Sequence, residues 1–243
     1  MKKIFVVSDI HGHCTLLQKA LERAGFDDAN EDHLLICCGD YFDRGTENVE
    51  MLQFLERVPR KILVRGNHED QLLKLFRTGK VLPHHYLNGT FCTLENFFGK
   101  YCIDPLDDTI DFSGKTRVVD RLCEFMEETV DYCETEHYLF VHGWIPEGVT
   151  AYQTASKEAW KEARRLKWIH KYTGQRPMEG KTLVCGHVPT RNAANFDPKR
   201  AGTDHSAFHG NGIVVLDAGV LDSKQINVLV LEGENIIFPN AIP

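Results

Sequence analysis

The sequence predicts an α/β fold in which two mixed β-sheets pack together and helices cover them on both sides, a four-layer α/β/β/α sandwich. Short apolar runs alternate with helical patterns in the N-terminal part. More strand-like runs follow later in the chain, and two packed sheets with helices outside use all of these pieces. The 243 residues, 42% of them hydrophobic, suffice for one sizeable core, so we predict a single domain over residues 1–243.

The N-terminal part is predicted to contain three strands, each followed by a helix. A βαβαβα order implies right-handed crossovers and a largely parallel sheet. The predicted strands are 4–8, 34–38 and 62–64, and the helices include residues 16–21, 49–55 and 70–76.

The rest of the chain is less regular, and the region from about 80 to 135 carries no recognisable chemical motif. A helix is predicted there from Val118 to Tyr132. Beyond it we expect strands at 138–141 and 182–185, a helical stretch at 154–170, a long loop at 190–211, and antiparallel strands at 213–216, 226–231 and 236–238.

The composition restricts the classes of function. A formal net charge of −7 argues against a general nucleic-acid-binding protein, which would need a basic face. No apolar stretch approaches the length of a membrane span, so we expect no membrane association. The eight cysteines show no C-x-x-C spacing and several lie in apolar runs, which predicts buried, reduced thiols and a cytoplasmic location.

Five of the predicted strands end in a residue that can bind a metal ion. Ligands of open α/β sheets bind at the carboxyl ends of the strands, so these side chains are expected to share one edge. Glycines adjoin nearly all of them and permit the close backbone approach that a crowded metal site demands. The six predicted ligands are Asp9, His11, Asp40, Asn67, His142 and His187.

Each candidate has a simpler structural explanation when it is considered alone. Asp9 and Asp40 could cap the helices that follow them, and Asn67 could be a turn residue. A lone histidine beside glycine is often a structural residue. Their coincidence at five strand ends favours a metal site. Imidazole, carboxylate and amide ligands without a thiolate suit manganese, iron or zinc rather than copper(I).

Three sequence blocks resemble those of a known family. Asp9-Ile10-His11-Gly12, Gly39-Asp40-Tyr41-Phe42-Asp43-Arg44-Gly45 and Arg65-Gly66-Asn67-His68-Glu69 are similar to the signature blocks of the phosphoprotein phosphatases, in particular the bacterial serine/threonine phosphatases. Shorter similar blocks are Val141-His142-Gly143, Gly186-His187 and Leu216-Asp217-Ala218-Gly219. The resemblance runs from about residue 3 to 231 and implies a calcineurin-like metallophosphoesterase fold.

The resemblance implies a centre of two divalent metal ions. It assigns Asp9, His11 and Asp40 to one ion, and Asp40, Asn67, His142 and His187 to the other, with Asp40 as the bridge. A hydroxide between the two ions would attack phosphorus directly, without a covalent phosphoenzyme.

The resemblance also implies catalytic roles beside the ligands. His68 is expected to protonate the leaving alkoxide, with Asp43 orienting its ring. Alternatively, His68 is only a hydrogen-bonding neighbour of the ligands, or Asp43 pairs with Arg44. Arg44 and Arg65 are expected to hold phosphate oxygens, because the guanidinium fork matches them.

The chain departs from the family pattern at one place. A third arginine, in a Trp-x-Arg segment between the two late histidines, is common in the family, whereas this sequence has Trp168-Ile169-His170. His170 itself could contact phosphate. Alternatively, Arg164, Arg165 or Arg176 could compensate.

These features favour a metal-dependent phosphomonoesterase, with phosphoserine or phosphothreonine of proteins as the leading substrate and a small phosphate ester as another. The presence of Asp43 and Arg65 favours this branch over the related hydrolases of diadenosine polyphosphates, which usually lack both. RNA-end phosphatases are also related, although the acidic balance counts against them. A non-catalytic phosphate-binding module would be expected to have lost ligands, and all six are present.

Overall fold

The computed structural model describes residues 1–99 and 108–238, in which helices flank two β-sheets. The strands are β1 (Lys3–Val7), β2 (His33–Cys38), β3 (Lys61–Val64), β4 (Cys133–Thr135), β5 (Tyr138–Phe140), β6 (Thr182–Cys185), β7 (Phe208–Gly210), β8 (Ile213–Val215), β9 (Leu229–Glu232) and β10 (Ile236–Phe238). The α-helices are α1 (Cys14–Ala24), α2 (Asn48–Arg57), α3 (Asn67–Thr78), α4 (Pro83–Leu87), α5 (Thr90–Phe98), α6 (Thr116–Glu127), α7 (Lys157–Arg165), α8 (Trp168–Lys171) and α9 (Val220–Ser223).

The first sheet has the strand order β3-β2-β1-β9. Its first three strands are parallel, as the alternation of apolar runs and helices predicts, and β9 closes the edge in the antiparallel direction. Because side chains alternate along a strand, Ile4 and Val6 face the second sheet while Phe5 and Val7 face the helices.

The second sheet has the order β10-β4-β5-β6-β8-β7. Here one prediction is wrong, because the C-terminal strands are not antiparallel neighbours. Strand β8 runs parallel to β6, whereas β9 joins the first sheet and β10 pairs with β4. An apolar run identifies a strand, but its partner depends on contacts that are distant in sequence.

Three apolar clusters define the layers. One lies between the sheets and includes Ile36, Phe140 and Val184. The second packs the first sheet against helices such as α1, α2 and α6, and the third packs the second sheet against α7 and α8. This arrangement confirms the four-layer fold class.

Several element boundaries differ from the expected ones. The helix expected at 118–132 is α6 and ends at Glu127. The stretch at 154–170 is divided into α7 and α8, because Leu166 and Lys167 adopt extended backbone angles between them. The loop expected at 190–211 contains a 3₁₀ helix at Thr190–Asn195 and strand β7.

The cysteines and the hydropathy of the helices complete the description of the fold. The seven cysteines within the described ranges are free and five of them are buried, whereas Cys102 lies outside those ranges. Over residues 1–99 and 108–238, no helix combines the length and the apolar character needed to span a membrane.

Candidate metal centre

The site lies where the first sheet and β5 and β6 of the second sheet end, on loops with unusual backbone geometry. Eight non-glycine residues of the described chain have positive φ, and six of them are predicted site residues. Left-handed backbone is rare for such residues and costs of order 1–3 kcal/mol each. Its concentration at one site indicates that function constrains these loops. The six are Asp9, His11, Asp40, Asp43, Arg44 and His187.

Asp40 occupies the middle of the site. It belongs to two groups of potential ligand atoms that lie within 4.8 Å of one another, one with His11 and His68 and the other with His142 and His187. Its Oδ2 lies 3.6 Å from Nε2 of His11, and its Oδ1 lies 3.4 Å from Nε2 of His142. One carboxylate therefore faces both groups, as expected for a bridge between two metal ions.

The imidazole tautomers show that the donor atoms suit a cation. Nδ1 of His11 donates to the carbonyl of Phe42 at 2.9 Å, and Nδ1 of His142 donates to the carbonyl of Cys38 at 2.9 Å. A carbonyl only accepts, so Nδ1 of each ring carries a hydrogen and Nε2 is the atom that faces Asp40. In the neutral ring this nitrogen offers a lone pair, which a metal ion held by the carboxylate would accept.

The second group gains a further oxygen, from Asn67. Nε2 of His142 lies 3.0 Å from Oδ1 of Asn67 and 3.2 Å from Nδ1 of His187. Asn67 begins α3 and is buried. The predicted ligands Asn67, His142 and His187 thus converge with Asp40.

Asp9 lies at the base of the site and outside both close groups found in the described residues. Its carboxylate accepts hydrogen bonds from the backbone N–H of His187 at 2.9 and 3.1 Å and from the hydroxyl of Ser8 at 2.6 Å. These bonds connect the loop after β1 to the loop after β6. Metal ligation by Asp9 stays a prediction.

Burial and neighbouring charges set the protonation states. Burial opposes ionisation of Asp40, but the neighbouring His142, His68 and His11 outweigh it and hold its pKa well below the usual value. Burial and the nearby His142 lower the pKa of His187 to about 3. The ionised form of a carboxylate and the neutral form of an imidazole are the ones that bind divalent metals.

Glu69 holds two of the ligand loops together. Its buried carboxylate accepts backbone N–H groups from Asp40, Tyr41 and Gly66, each at 2.9 Å. Burial, reinforced by the charge of Asp40, raises the pKa of Glu69 to about 7. The side chain therefore joins the loop after β2 to the loop after β3.

At two positions only glycine fits, because a ligand side chain approaches the backbone closely, as the sequence predicts. A Cβ at Gly66 would lie 2.2 Å from Oδ1 of Asp40, and one at Gly186 would lie 1.9 Å from Oδ2 of Asp9. No side chain fits at those distances.

His68 and Asp43 form a buried pair beside Asp40. Nδ1 of His68 donates to Oδ2 of Asp43 at 2.6 Å. Nε2 of His68 faces the site, 3.8 Å from Oδ2 of Asp40. Burial opposes protonation of His68, but the charges of Asp40 and Asp43 outweigh it and raise its pKa to about 9.

Two threonines of α5 hold Asp43 in place. The hydroxyl of Thr93 donates to Oδ1 of Asp43 at 2.7 Å, and the hydroxyl of Thr90 donates to its Oδ2 at 3.1 Å. The Thr93 oxygen also accepts from the backbone N–H of Asp43 at 2.9 Å. Sequence reasoning missed both threonines, because they belong to a region without a motif.

The two predicted phosphate-binding arginines differ in position. Arg44 reaches the site, where its Nη2 lies 3.3 Å from Nε2 of His68. Arg65 turns away from it: Nε donates to Oγ1 of Thr129 at 2.7 Å, and Nη2 donates to the carbonyl of Met126 at 2.6 Å. A phosphate role for Arg65 would require its release from these partners at the end of α6.

The residues considered as substitutes for the third arginine lie in different places. Arg164 is buried and donates to Asp70 and Asp131, and Arg176 donates to the carbonyl of Lys181. Arg165 lines a cleft with Asn67 and His187, next to the centre. His170 is exposed at the end of α8 and is not among the described residues that line this cleft.

Comparison with known proteins identifies the class. The sequence model of the calcineurin-like phosphoesterase family matches residues 2–218, so the chain belongs to this family. Its members are metallophosphoesterases, which use divalent metal ions to hydrolyse phosphoester bonds. The similarity to a solved protein-tyrosine phosphatase of a psychrophilic Shewanella supports the fold alone, with 16% identity, a TM-score of 0.58, and 96% and 76% of the two chains covered.

The similarity to individual named proteins covers a shorter part of the chain. The chain is 42% identical to serine/threonine-protein phosphatase 2 of Escherichia coli (strain K12) over 78 residues, which are 32% of this chain and 34% of that protein. It is 29% identical to a bis(5'-nucleosyl)-tetraphosphatase of Bacillus velezensis over 113 residues, 43% of each chain. The chain thus matches between about a third and less than half of the length of these relatives.

Proposed function

We propose that the protein is a phosphomonoesterase that removes phosphate from phosphoserine or phosphothreonine of proteins. The observation that carries this proposal is the buried His68–Asp43 pair, whose Nε2 faces the site. A serine or threonine alkoxide is a strong base and leaves only with a proton. The carboxylate of Asp43, which accepts from Nδ1, favours the protonated form of the ring and so keeps it able to supply that proton.

The ligand set supports a centre of two ions of manganese, iron or zinc, whose identity stays open. When bound, such ions activate water as the nucleophile and neutralise charge on the phosphoryl oxygens. Asp40 would bridge the two positions, with Asp9 and His11 on one side and Asn67, His142 and His187 on the other.

The remaining groups position the substrate and the acid. Arg44 would hold phosphoryl oxygens, since its guanidinium lies beside the ring that delivers the proton. Asp43 stabilises the imidazolium and fixes the orientation of its ring. Thr90 and Thr93 hold that carboxylate in turn.

A second candidate is the hydrolysis of diadenosine polyphosphates, favoured by the similarity to the Bacillus tetraphosphatase. A polyphosphate leaving group is a much weaker base than an alkoxide and depends less on an acid. The built His68–Asp43 pair therefore favours the ester substrate. A non-catalytic phosphate-binding module is disfavoured, because such a module has no use for a positioned proton donor.

A substrate panel tests the proposal. Protein supplied with manganese would be assayed on a phosphoserine peptide, diadenosine tetraphosphate and nitrophenyl phosphate, with a chelator-treated sample as the control. We expect metal-dependent release of phosphate from the peptide with a higher kcat/KM than for the nucleotide. Hydrolysis of the nucleotide with no turnover of the peptide would contradict the proposal.

A further inference from the structure

A cleft of about 380 Å³ opens beside the metal centre, between α3, α4 and α7. Asn67 and His187 line the end of the cleft that belongs to the centre. Four basic side chains line it as well, and we call this set the cationic cleft: Lys74, His84, Lys161 and Arg165.

Helical spacing places these side chains together. Asn67, Gln71 and Lys74 lie on one face of α3, and Lys161 and Arg165 lie one turn apart on α7. Arg164, buried between the two helices, donates to Asp70 at 2.9 and 3.2 Å and thereby fixes their relative position.

The cleft keeps a positive charge. Asp70 is the acidic residue among the described residues that line it, and its carboxylate is bound by Arg164. Lys161 has only a loose partner, Glu158 at 3.5 Å on the exposed surface of the same helix. The remaining cations are therefore available to an anionic ligand.

His84 lines the cleft beside these basic side chains. Its Nε2 is buried and finds no hydrogen-bond partner within residues 1–99 and 108–238. Burial, together with the charges of Arg165 and Lys74, lowers its pKa.

The distance from the centre shows which group would bind. Lys74 follows Asn67 by seven residues of α3, which places its Cα about 10 Å further along the helix axis. From this position the ammonium of Lys74 is better placed for a group beside the phosphate under attack than for the phosphate itself. An extended peptide advances about 3.3 Å per residue, so a side chain two or three positions from the phosphoserine reaches this distance.

We propose that the cationic cleft binds an acidic side chain of the substrate, two or three residues away from the phosphorylated serine or threonine. This inference rests on the protein phosphatase function proposed above. The lining favours a carboxylate over a nucleobase, because the described lining residues include no phenylalanine, tyrosine or tryptophan on which a base would stack.

The test compares two phosphoserine peptides that differ only in Glu or Gln at positions two and three residues from the phosphoserine. We expect the wild-type protein to favour the Glu peptide by about fivefold in kcat/KM at low salt, a preference that salt weakens. In the double variant Lys74→Gln, Lys161→Gln the preference should disappear. Activity on nitrophenyl phosphate should stay within about twofold, because neither lysine belongs to the groups of donor atoms at the metal centre.

Lys19→Gln is the matched control, because Lys19 is an exposed lysine of α1 and the preference should survive there. Hydrolysis of both peptides without a preference, or a preference that persists in the double variant, would overturn the inference and leave the proposed function intact. Absence of peptide hydrolysis, with retained activity on nitrophenyl phosphate, would overturn both.

Discussion

Two regions of the molecule build the site in different ways. One consists of the loops after β1, β2 and β3, and the other is the segment that contains α4 and α5. The loops carry the predicted ligands on buried backbone with positive φ, including Asp9, His11 and Asp40. The α4–α5 segment carries no predicted ligand and exposes Tyr86 and Leu87 by 52% and 86%. The comparison teaches that the predicted metal ligands depend on the sheet, whereas the orientation of the proposed proton donor depends on a helical segment packed against it.

The contacts between the two regions are few and specific. The carbonyl of Gly89 accepts from the backbone N–H of Arg44 at 3.0 Å, and Thr93 is bound to both the backbone and the carboxylate of Asp43. Changes in the loops should therefore remove metal and activity together. Changes in α5 should disturb the acid while the ligands stay in place.

The largest effect is expected for Asp40→Asn. The amide keeps the shape of the side chain but removes the charge that faces both groups of donor atoms. We expect kcat to fall by at least about 10⁴-fold, since electrostatic stabilisation at the reacting phosphate is lost. Initial rates on nitrophenyl phosphate at saturating manganese measure this loss, with circular dichroism confirming that the variant is folded. Retention of a tenth of the activity would contradict the role of Asp40.

The next effect is expected for His68→Asn. Loss of a general acid costs about 10²–10⁴-fold, and the loss should be greatest where the leaving group is a strong base. We expect kcat to fall much more on a phosphoserine peptide than on nitrophenyl phosphate, in conditions where the chemical step limits turnover. Arg44→Ala is the comparison, because it should affect both substrates alike. Equal losses for His68→Asn on both substrates would remove the case for His68 as the acid.

Thr93→Val probes the α4–α5 segment directly. The change keeps the shape but leaves the buried N–H and carboxylate of Asp43 without this partner. We expect unfolding free energy to fall by about 1–3 kcal/mol and kcat on the phosphoserine peptide to fall by roughly tenfold, with metal content unchanged. Denaturant titration and metal analysis measure both. Thr78→Val, on the exposed end of α3, is the control and should be nearly neutral.

Arg65→Ala should have the smallest effect on activity. Arg65 lies at the end of a ligand-bearing strand, yet its guanidinium donates to the last carbonyls of α6. We expect a loss of about 1.5–3 kcal/mol in unfolding free energy, with kcat/KM within about threefold of the wild type. Arg77→Ala, which removes an exposed ion pair on α3, should cost less. A large rise in KM without loss of stability would instead restore Arg65 as a phosphate ligand.

The sequence predicts the loops well because their signals are local. A strand, a glycine and a ligand lie within a few residues of one another, as at Cys38-Gly39-Asp40, and parallel strands bring their ends to one edge. The direction of a side chain is not local. Arg65 lies beside a predicted ligand in the sequence, as Arg44 does, but helix α6 provides it with carbonyl acceptors that no sequence motif predicts.

Contacts between distant segments were also beyond prediction. Thr90 and Thr93 are ordinary helix residues in the sequence, and only packing of α5 against the loop after β2 gives them a role. The same holds for β8, whose apolar run does not reveal that it pairs with β6. A threonine or a valine fits many environments, so its partner must be supplied by the fold.

The bridging position of Asp40 is the central claim, and metal content tests it most directly. Wild-type protein, Asp40→Asn and His11→Ala would be loaded with manganese, desalted and measured by elemental analysis. We expect about two equivalents in the wild type, about one in His11→Ala, and clearly less than one in Asp40→Asn, because Asp40 is the one described residue that belongs to both groups of donor atoms. A wild-type protein that binds a single equivalent, or an Asp40→Asn variant that retains as much metal as His11→Ala, would contradict the account.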